Sequence, residues 1–132
     1  MRGYLLDTGV FLLSMESLQK INHEARRILE ASENDLFLSA ASSWEISIKW
    51  NIGKLKLPEP SSLYIPKLLS AKGIRALQIT HLHALSAGEL PRHHGDPFDR
   101  MLIAQAVVED LVLMTTDREF QKYKLALLWC GS

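Results

Sequence analysis

The stretch Asp96-Pro97-Phe98-Asp99-Arg100-Met101-Leu102-Ile103-Ala104-Gln105-Ala106-Val107-Val108-Glu109-Asp110-Leu111-Val112-Leu113-Met114-Thr115-Thr116-Asp117 reads as a helix that runs almost directly into a strand. Asp96 is a favoured N-cap, and Pro97 suits the first helical position because its missing N–H has no intrahelical partner to lose. Leu102, Ile103, Ala106 and Val107 recur at helical spacing, so the pattern predicts a helix over 97–108 with one apolar face. Leu111 to Thr115 is then a short, unbroken apolar run, as expected of a strand covered on both faces. A helix feeding a doubly covered strand is half of a βαβ unit.

The same alternation extends outward from this stretch. Tyr4 to Leu6 reads as a strand, and Gln19 to Ala31 as a helix with Ile21, Ala25, Ile28 and Leu29 on one face. Leu36 to Leu38 is a second strand, and Ser39 caps a helix that runs to about Ile52, where Gly53 stops it. Pro58 and Pro60 mark a loop. Ser61 to Ala71 is a helix that Pro66 bends or splits. Ile74 to Ile79 is a strand, Leu82 to Gly88 a short helix, and Pro91 to Gly95 a loop rich in His and Gly. Asp117 to Tyr123 is a short helix and Leu125 to Trp129 the last strand. Strands alternating with helices indicate an α/β fold, a three-layer α/β/α sandwich around a mostly parallel sheet of about five strands.

Composition narrows the function classes. The 132 residues suit one domain over 1–132, and a hydrophobic content of 47% supports a real core. Fifteen basic and fifteen acidic residues cancel, so any nucleic-acid contact depends on local cations rather than net charge. The single cysteine, Cys130, excludes an internal disulfide and a Cys-rich zinc site, and it reads as a buried thiol rather than a nucleophile. No stretch is apolar enough to span a membrane, and Asp7 interrupts any N-terminal signal pattern. The expectation is a soluble cytoplasmic protein.

Four carboxylates occupy unusual places. Asp7 ends the run Tyr4-Leu5-Leu6, and Asp117 follows Leu111 to Thr116; sites in open α/β sheets form at such strand ends. Each can also be read as a cap for the helix that follows. Glu45 lies at the edge of a stripe formed by Ala41, Trp44, Ile48 and Ile52, with Ile46 and Trp50 on the opposite side as apolar surface for a partner. A pair with Lys49 at i+4 explains Glu45 equally well. Asp99, at the third helical position, suits a capping box, but Leu102, Ile103, Ala106 and Val107 share its face while Arg100 turns away. Carboxylates set against a core are costly unless neutralised. Four together point to a cation held by oxygens, and hence to phosphate chemistry.

These residues resemble a known family. Leu5-Leu6-Asp7-Thr8, Ser42-Ser43-Trp44-Glu45-Ile46, Gly53-Lys54-Leu55, Leu90 to Arg100, Leu102 to Ala106 and Thr115-Thr116-Asp117 resemble PIN domains, and among them the VapC toxins of bacterial type II toxin–antitoxin pairs. The resemblance implies an endoribonuclease dependent on Mg2+ or Mn2+, with its acidic positions at Asp7, Glu45, Asp99 and Asp117. It implies a hydroxyl near the site at Thr116, and also at Thr8. Its usual partners are an RNA substrate, a small VapB-like antitoxin and a second copy of the toxin. Hard oxygen ligands suit magnesium or manganese better than zinc. Asp96 is then a cap that holds Asp99 in place.

Cations for RNA flank the acids: Arg92, His93, His94, Arg100 and Arg118, with Lys122, Lys49, Lys54 and Lys56 nearby. His81, His83, His93 and His94 lack a further pair to complete a tetrahedral zinc set. Other readings are a catalytically silent PIN-like binding module and a PIN nuclease of RNA processing or DNA cleavage. A phosphatase with an Asp nucleophile needs a second acid two residues after Asp7, where Gly9 stands.

Overall fold

The computed structural model describes residues 3–132. Its elements are β1 (Gly3–Leu6), α1 (Thr8–Glu16), α2 (His23–Glu30), β2 (Asp35–Ser39), α3 (Ala40–Asn51), α4 (Ser61–Lys72), β3 (Arg75–Leu77), α5 (His81–Gly88), α6 (Pro97–Val108), β4 (Val112–Thr115) and β5 (Leu127–Trp129). Short 3-10 turns span Leu18–Lys20 and Arg118–Lys122. The five strands pair in the order β3-β2-β1-β4-β5, and every pairing is parallel.

Side chains alternate across the sheet with a period of two residues, which separates two cores. Leu6, Leu36, Leu38 and Met114 face Val10, Phe11, Ala25 and Ile65 on one side. Leu5 and Leu113 face Leu102, Ile103, Ala106 and Phe120 on the other. Helices therefore cover both faces, and the three-layer α/β/α expectation holds.

Several boundaries differ from the sequence reading. Helix α1 was not anticipated: Asp7 caps it, and Val10 to Leu13 is too uniformly apolar to show a helical period. The helix expected over 19–31 begins only at His23. Asn22 holds extended backbone and caps α2 by accepting from the Ala25 N–H at 2.9 Å. The strand expected over 74–79 shortens to Arg75–Leu77, because Thr80 already caps α5. Pro66 does not split α4, which runs through it and ends at Gly73, whose φ of 67° is the left-handed geometry glycine takes without strain. The helix expected over 117–123 is a 3-10 turn.

The faces of α3 and α6 also need correction. Ile46 is fully buried along with Ser42, whereas Trp44, Ile48 and Ile52 are exposed, so the apolar surface of α3 is the stripe expected to be core. On α6, Leu102, Ile103 and Ala106 are buried as expected, but Val107 is 54% exposed.

Asn22 ties the two ends of the sequence together. Its amide donates to the Trp129 and Gly131 carbonyls at 2.8 and 3.2 Å, and its own N–H donates to the Cys130 carbonyl. Replacing Asn22 with Ala removes a cap and two long-range bonds within the chain and should lower stability by about 1–2 kcal/mol. Asn22→Asp, which keeps the cap acceptor but not the amide donors, should fall between in urea unfolding.

Candidate active site

The strand order puts a switch point between β1 and β4: β1, β2 and β3 wind to one side, while β4 and β5 lie on the other. Ligands of open α/β sheets bind outside the carboxyl ends of strands at such a point, where connecting segments diverge and leave a crevice. Asp7 directly follows β1, and Asp117 follows β4 after one intervening residue. The register Leu6↔Met114 and the Asp7 N–H bond to the Met114 carbonyl at 3.0 Å hold the two strand ends level. Glu45 reaches the same place from the second turn of α3, and Asp99 from the first turn of α6. All four acids line one cavity of about 250 Å³, together with Thr8, Gly9, Lys49 and Thr116.

Each carboxylate is held differently. Asp7 is 6% exposed; one oxygen accepts from the Val10 N–H at 2.6 Å as the cap of α1, and the other from the Thr115 hydroxyl. Glu45 pairs with Lys49 at 3.0 Å, the i+4 pair that the sequence offered as an alternative; the structure shows that this pair and a place in the cavity are compatible. Asp96 accepts from the Phe98 and Asp99 N–H groups, as a cap for α6 should. Asp99 lies 3.4 Å from His94 Nε2, an approach too long for a made hydrogen bond, and among the described residues that buried nitrogen has no hydrogen-bond partner. The Tyr123 hydroxyl lies 2.7 Å from His94 Nδ1; a phenol donating there leaves the imidazole proton on Nε2, facing Asp99. Asp117 accepts from the Glu119 N–H at 2.9 Å.

The electrostatics are those of a site short of positive charge. Burial pushes the Asp7 carboxyl up to about 6; the Thr115 hydroxyl and Val10 amide oppose this, and Asp117 and Glu45 add to it. Burial, then the neighbouring Asp96, pushes Asp99 up to about 7, with His94 opposing and Asp117 adding. A donor set of carboxylate oxygens whose protons are held this tightly fits a hard divalent cation, which would replace the protons. Among the described residues no three acid or histidine side chains already converge as a ligand set, because Glu45 is turned to Lys49 and Asp117 to its own backbone turn.

The hydroxyls and cations sort only partly as expected. Thr116 and Thr8 both line the cavity, as expected, and Thr8 in addition donates to Ser42 at 2.9 Å, which braces α1 against α3. The hydroxyl on a carboxylate is that of Thr115, which sequence reading passed over; its Oγ1 also accepts from the Asp117 N–H, linking the two strand-end acids. Only the β1–β4 register reveals it. Arg100 is not a free cation for RNA: its guanidinium donates to the carbonyls of Ala87, Leu90, Pro91 and His94, fastening the 91–95 loop to α6. Arg118 lies 4.3 Å over the Trp129 ring, and His93 packs edge-on against Tyr123. Arg92 is exposed and shares a second cavity with His94 and Arg100. His83 is buried, with Nε2 2.8 Å from Glu109 and Nδ1 accepting from the Thr80 N–H, which makes it a structural residue rather than a metal ligand. Burial pushes the Cys130 thiol up to about 12, in line with an inert buried cysteine.

The PIN domain family profile matches residues 4–125. Over 61 residues, or 46% of the chain, the sequence is 43% identical to Ribonuclease VapC16 of Mycobacterium tuberculosis (strain ATCC 25618 / H37Rv). That match spans only 43% of the relative's own length. Among solved structures, VapBC2 from Rickettsia felis bound to a DNA fragment from its promoter superposes with a TM-score of 0.73 at 19% identity, covering 96% of this chain and 97% of that one. DNA-bound VapBC from Salmonella typhimurium gives 0.72 at 21% identity, covering 97% and 98%. At these identities the likeness is one of fold.

Two outcomes test the electrostatics and the loop anchor. A carboxyl whose pKa is raised by folding favours the folded state below its unfolded pKa near 3.8, and that contribution is lost as pH rises through the folded value. Metal-free protein should therefore lose stability from Asp7 and Asp99 between about pH 4 and pH 7, with Asp7 alone accounting for about 3 kcal/mol. Asp7→Asn should raise the melting temperature in chelator at pH 8 and leave it little changed at pH 4; equal shifts at both pH values would contradict the account. Arg100→Ala should cost about 3 kcal/mol or more, and Arg100→Lys should not restore it, since a lysine cannot reach four carbonyls in a fork.

Proposed function

The chain belongs to the PIN-domain family, and from that premise we propose that it is an endoribonuclease of the VapC type, the toxin of a type II toxin–antitoxin pair acting in the cytoplasm with magnesium or manganese. The observation that carries this reading is the meeting of four carboxylates in one cavity at the β1–β4 switch point. The 43% identity to a relative called a ribonuclease supports the same reaction. The fold shared with VapBC complexes supports a VapB-like antitoxin as partner, and a second copy of the chain is part of the same reading. Exposed Leu82 and Leu85 on α5 and Ile48 and Ile52 on α3 supply apolar area for such protein contacts.

Asp7 and Asp99 are the principal ligands, with Asp117 and Glu45 completing the set. When bound, the cation lowers the pKa of a coordinated water and offsets charge on the scissile phosphate. The Thr115 hydroxyl and the Val10 amide fix the Asp7 carboxylate, so that its remaining lone pairs face the cavity. The His94 imidazole, braced by Tyr123, limits how far Asp99 can turn. Glu45 is the candidate to orient the attacking water and take its proton. Lys49, now paired with Glu45, can transfer its charge to a phosphate oxygen as the substrate enters. Thr116 offers a hydroxyl to the same phosphate, and Arg92 a charge farther along the strand.

Purified protein with magnesium should cut RNA. Asp7→Asn and Asp99→Asn should each lower the rate by about a hundredfold or more while the circular dichroism spectrum is retained. Unchanged rates in both variants would defeat the metal-site reading. Expression should arrest bacterial growth, and the Asp99→Asn variant should not.

A further inference from the structure

The tryptophans are not equivalent. Trp50 and Trp129 are half-buried, and Trp129 is already covered by Arg118, whereas Trp44 is 63% exposed. A large aromatic left this open is costly in water unless something covers it. Trp44 is not loose, however. Its ring meets Phe98 edge-on, with centroids 5.3 Å apart and planes 73° apart, and Phe98, on α6, is partly buried against the core under that helix. The pair joins α3 to the first turn of α6. The residues that follow each member, Glu45 and Asp99, both line the acidic cavity. An exposed and braced aromatic therefore stands one residue along α3 from a carboxylate of the cavity.

Charge strengthens the case. The sequence has no net charge, and Lys49, which lines the cavity, is paired with Glu45 in the free protein. Coulomb attraction to a polyanion is thus modest, and four carboxylates at the centre oppose it. Stacking on an aromatic ring provides affinity that does not depend on cations, and it accepts any base because every base has a π-face.

We infer that Trp44, braced by Phe98, is a stacking platform for an unpaired nucleobase near the scissile phosphate. The inference rests on the nuclease reading above. A base in a continuous duplex is stacked on both sides and cannot reach the ring without being extruded.

The test follows binding of a labelled oligoadenylate by anisotropy in chelator, so that the strand stays intact, together with tryptophan fluorescence. Wild type should show saturable quenching, with weaker binding of the same strand when paired to its complement. Trp44→Phe should lose most of the quenching yet keep the Kd within about threefold, and Trp44→Ala should raise the Kd by about tenfold or more. The slope of log Kd against log salt should be the same in all three, because no phosphate contact is removed. An unchanged Kd in Trp44→Ala overturns the platform; if that variant also sediments as a smaller species than wild type, the α3 face is instead an interface between copies. Cleavage measured alongside separates the two readings. A wild type that cuts RNA while Trp44→Ala binds normally defeats only the platform. A wild type that neither binds nor cuts defeats the nuclease reading, and the platform with it.

Discussion

The parallel pairing of β1 with β4 is the constraint on which the site depends. It sets Leu6 opposite Met114, so that Asp7 and Thr115 come to the same level at the carboxyl edge of the sheet. One threonine hydroxyl then bonds to Asp7 and accepts from the Asp117 amide, which couples the two acids through a single side chain. A shift of one residue in this register would turn Leu5 and Leu6 to the opposite faces and destroy both cores, so the apolar packing that stabilises the fold also enforces the geometry of the acids. Burial of Asp7 follows from the same pairing. The core that fixes its position also withholds the water that would solvate its charge.

That arrangement stores a local instability at the site. Asp7 and Asp99 hold their protons far above the usual carboxylate range, chiefly through burial, with neighbouring acids adding to it. The protein offsets this elsewhere with structural bonds: Arg100 tied to four carbonyls, Asp96 capping α6, and Thr8 linking α1 to α3. Polar residues close to the site are therefore of two kinds. Some stand in the cavity with unmet charge, and others are fully engaged in holding the frame around it. Arg100 belongs to the second kind, although its sequence neighbour Asp99 belongs to the first.

Helix α3 shows why periodicity alone did not assign its faces. Ala41, Trp44, Ile46, Ile48, Trp50 and Ile52 place apolar side chains all around it, so two opposite stripes compete for the core. The face that packs inward carries Ser42 and Ile46. Ser42 is small enough to let α3 approach α1 within hydrogen-bond distance of Thr8. Trp44 is too bulky for that close approach and lies outside, against Phe98. Size complementarity between helices, not the count of apolar residues, decided the face.

By itself the sequence determined the alternation of short apolar runs with amphipathic stretches, the caps at Ser39 and Asp96, and the two acids at strand ends, because each is local: it depends on residues a few positions apart. It also contained the order of motifs that marks the PIN family. It did not reveal α1, whose uniform apolarity hides a period, or the break at Asn22, whose cap depends on an amide reaching carbonyls more than a hundred residues away. Tertiary structure alone decided that the Thr115 hydroxyl serves Asp7, that Arg100 is engaged rather than free, and that Trp44 is open to solvent. Each of these depends on register or on helix-to-helix distance, which are properties of residues distant in the chain and are set only when the two cores close.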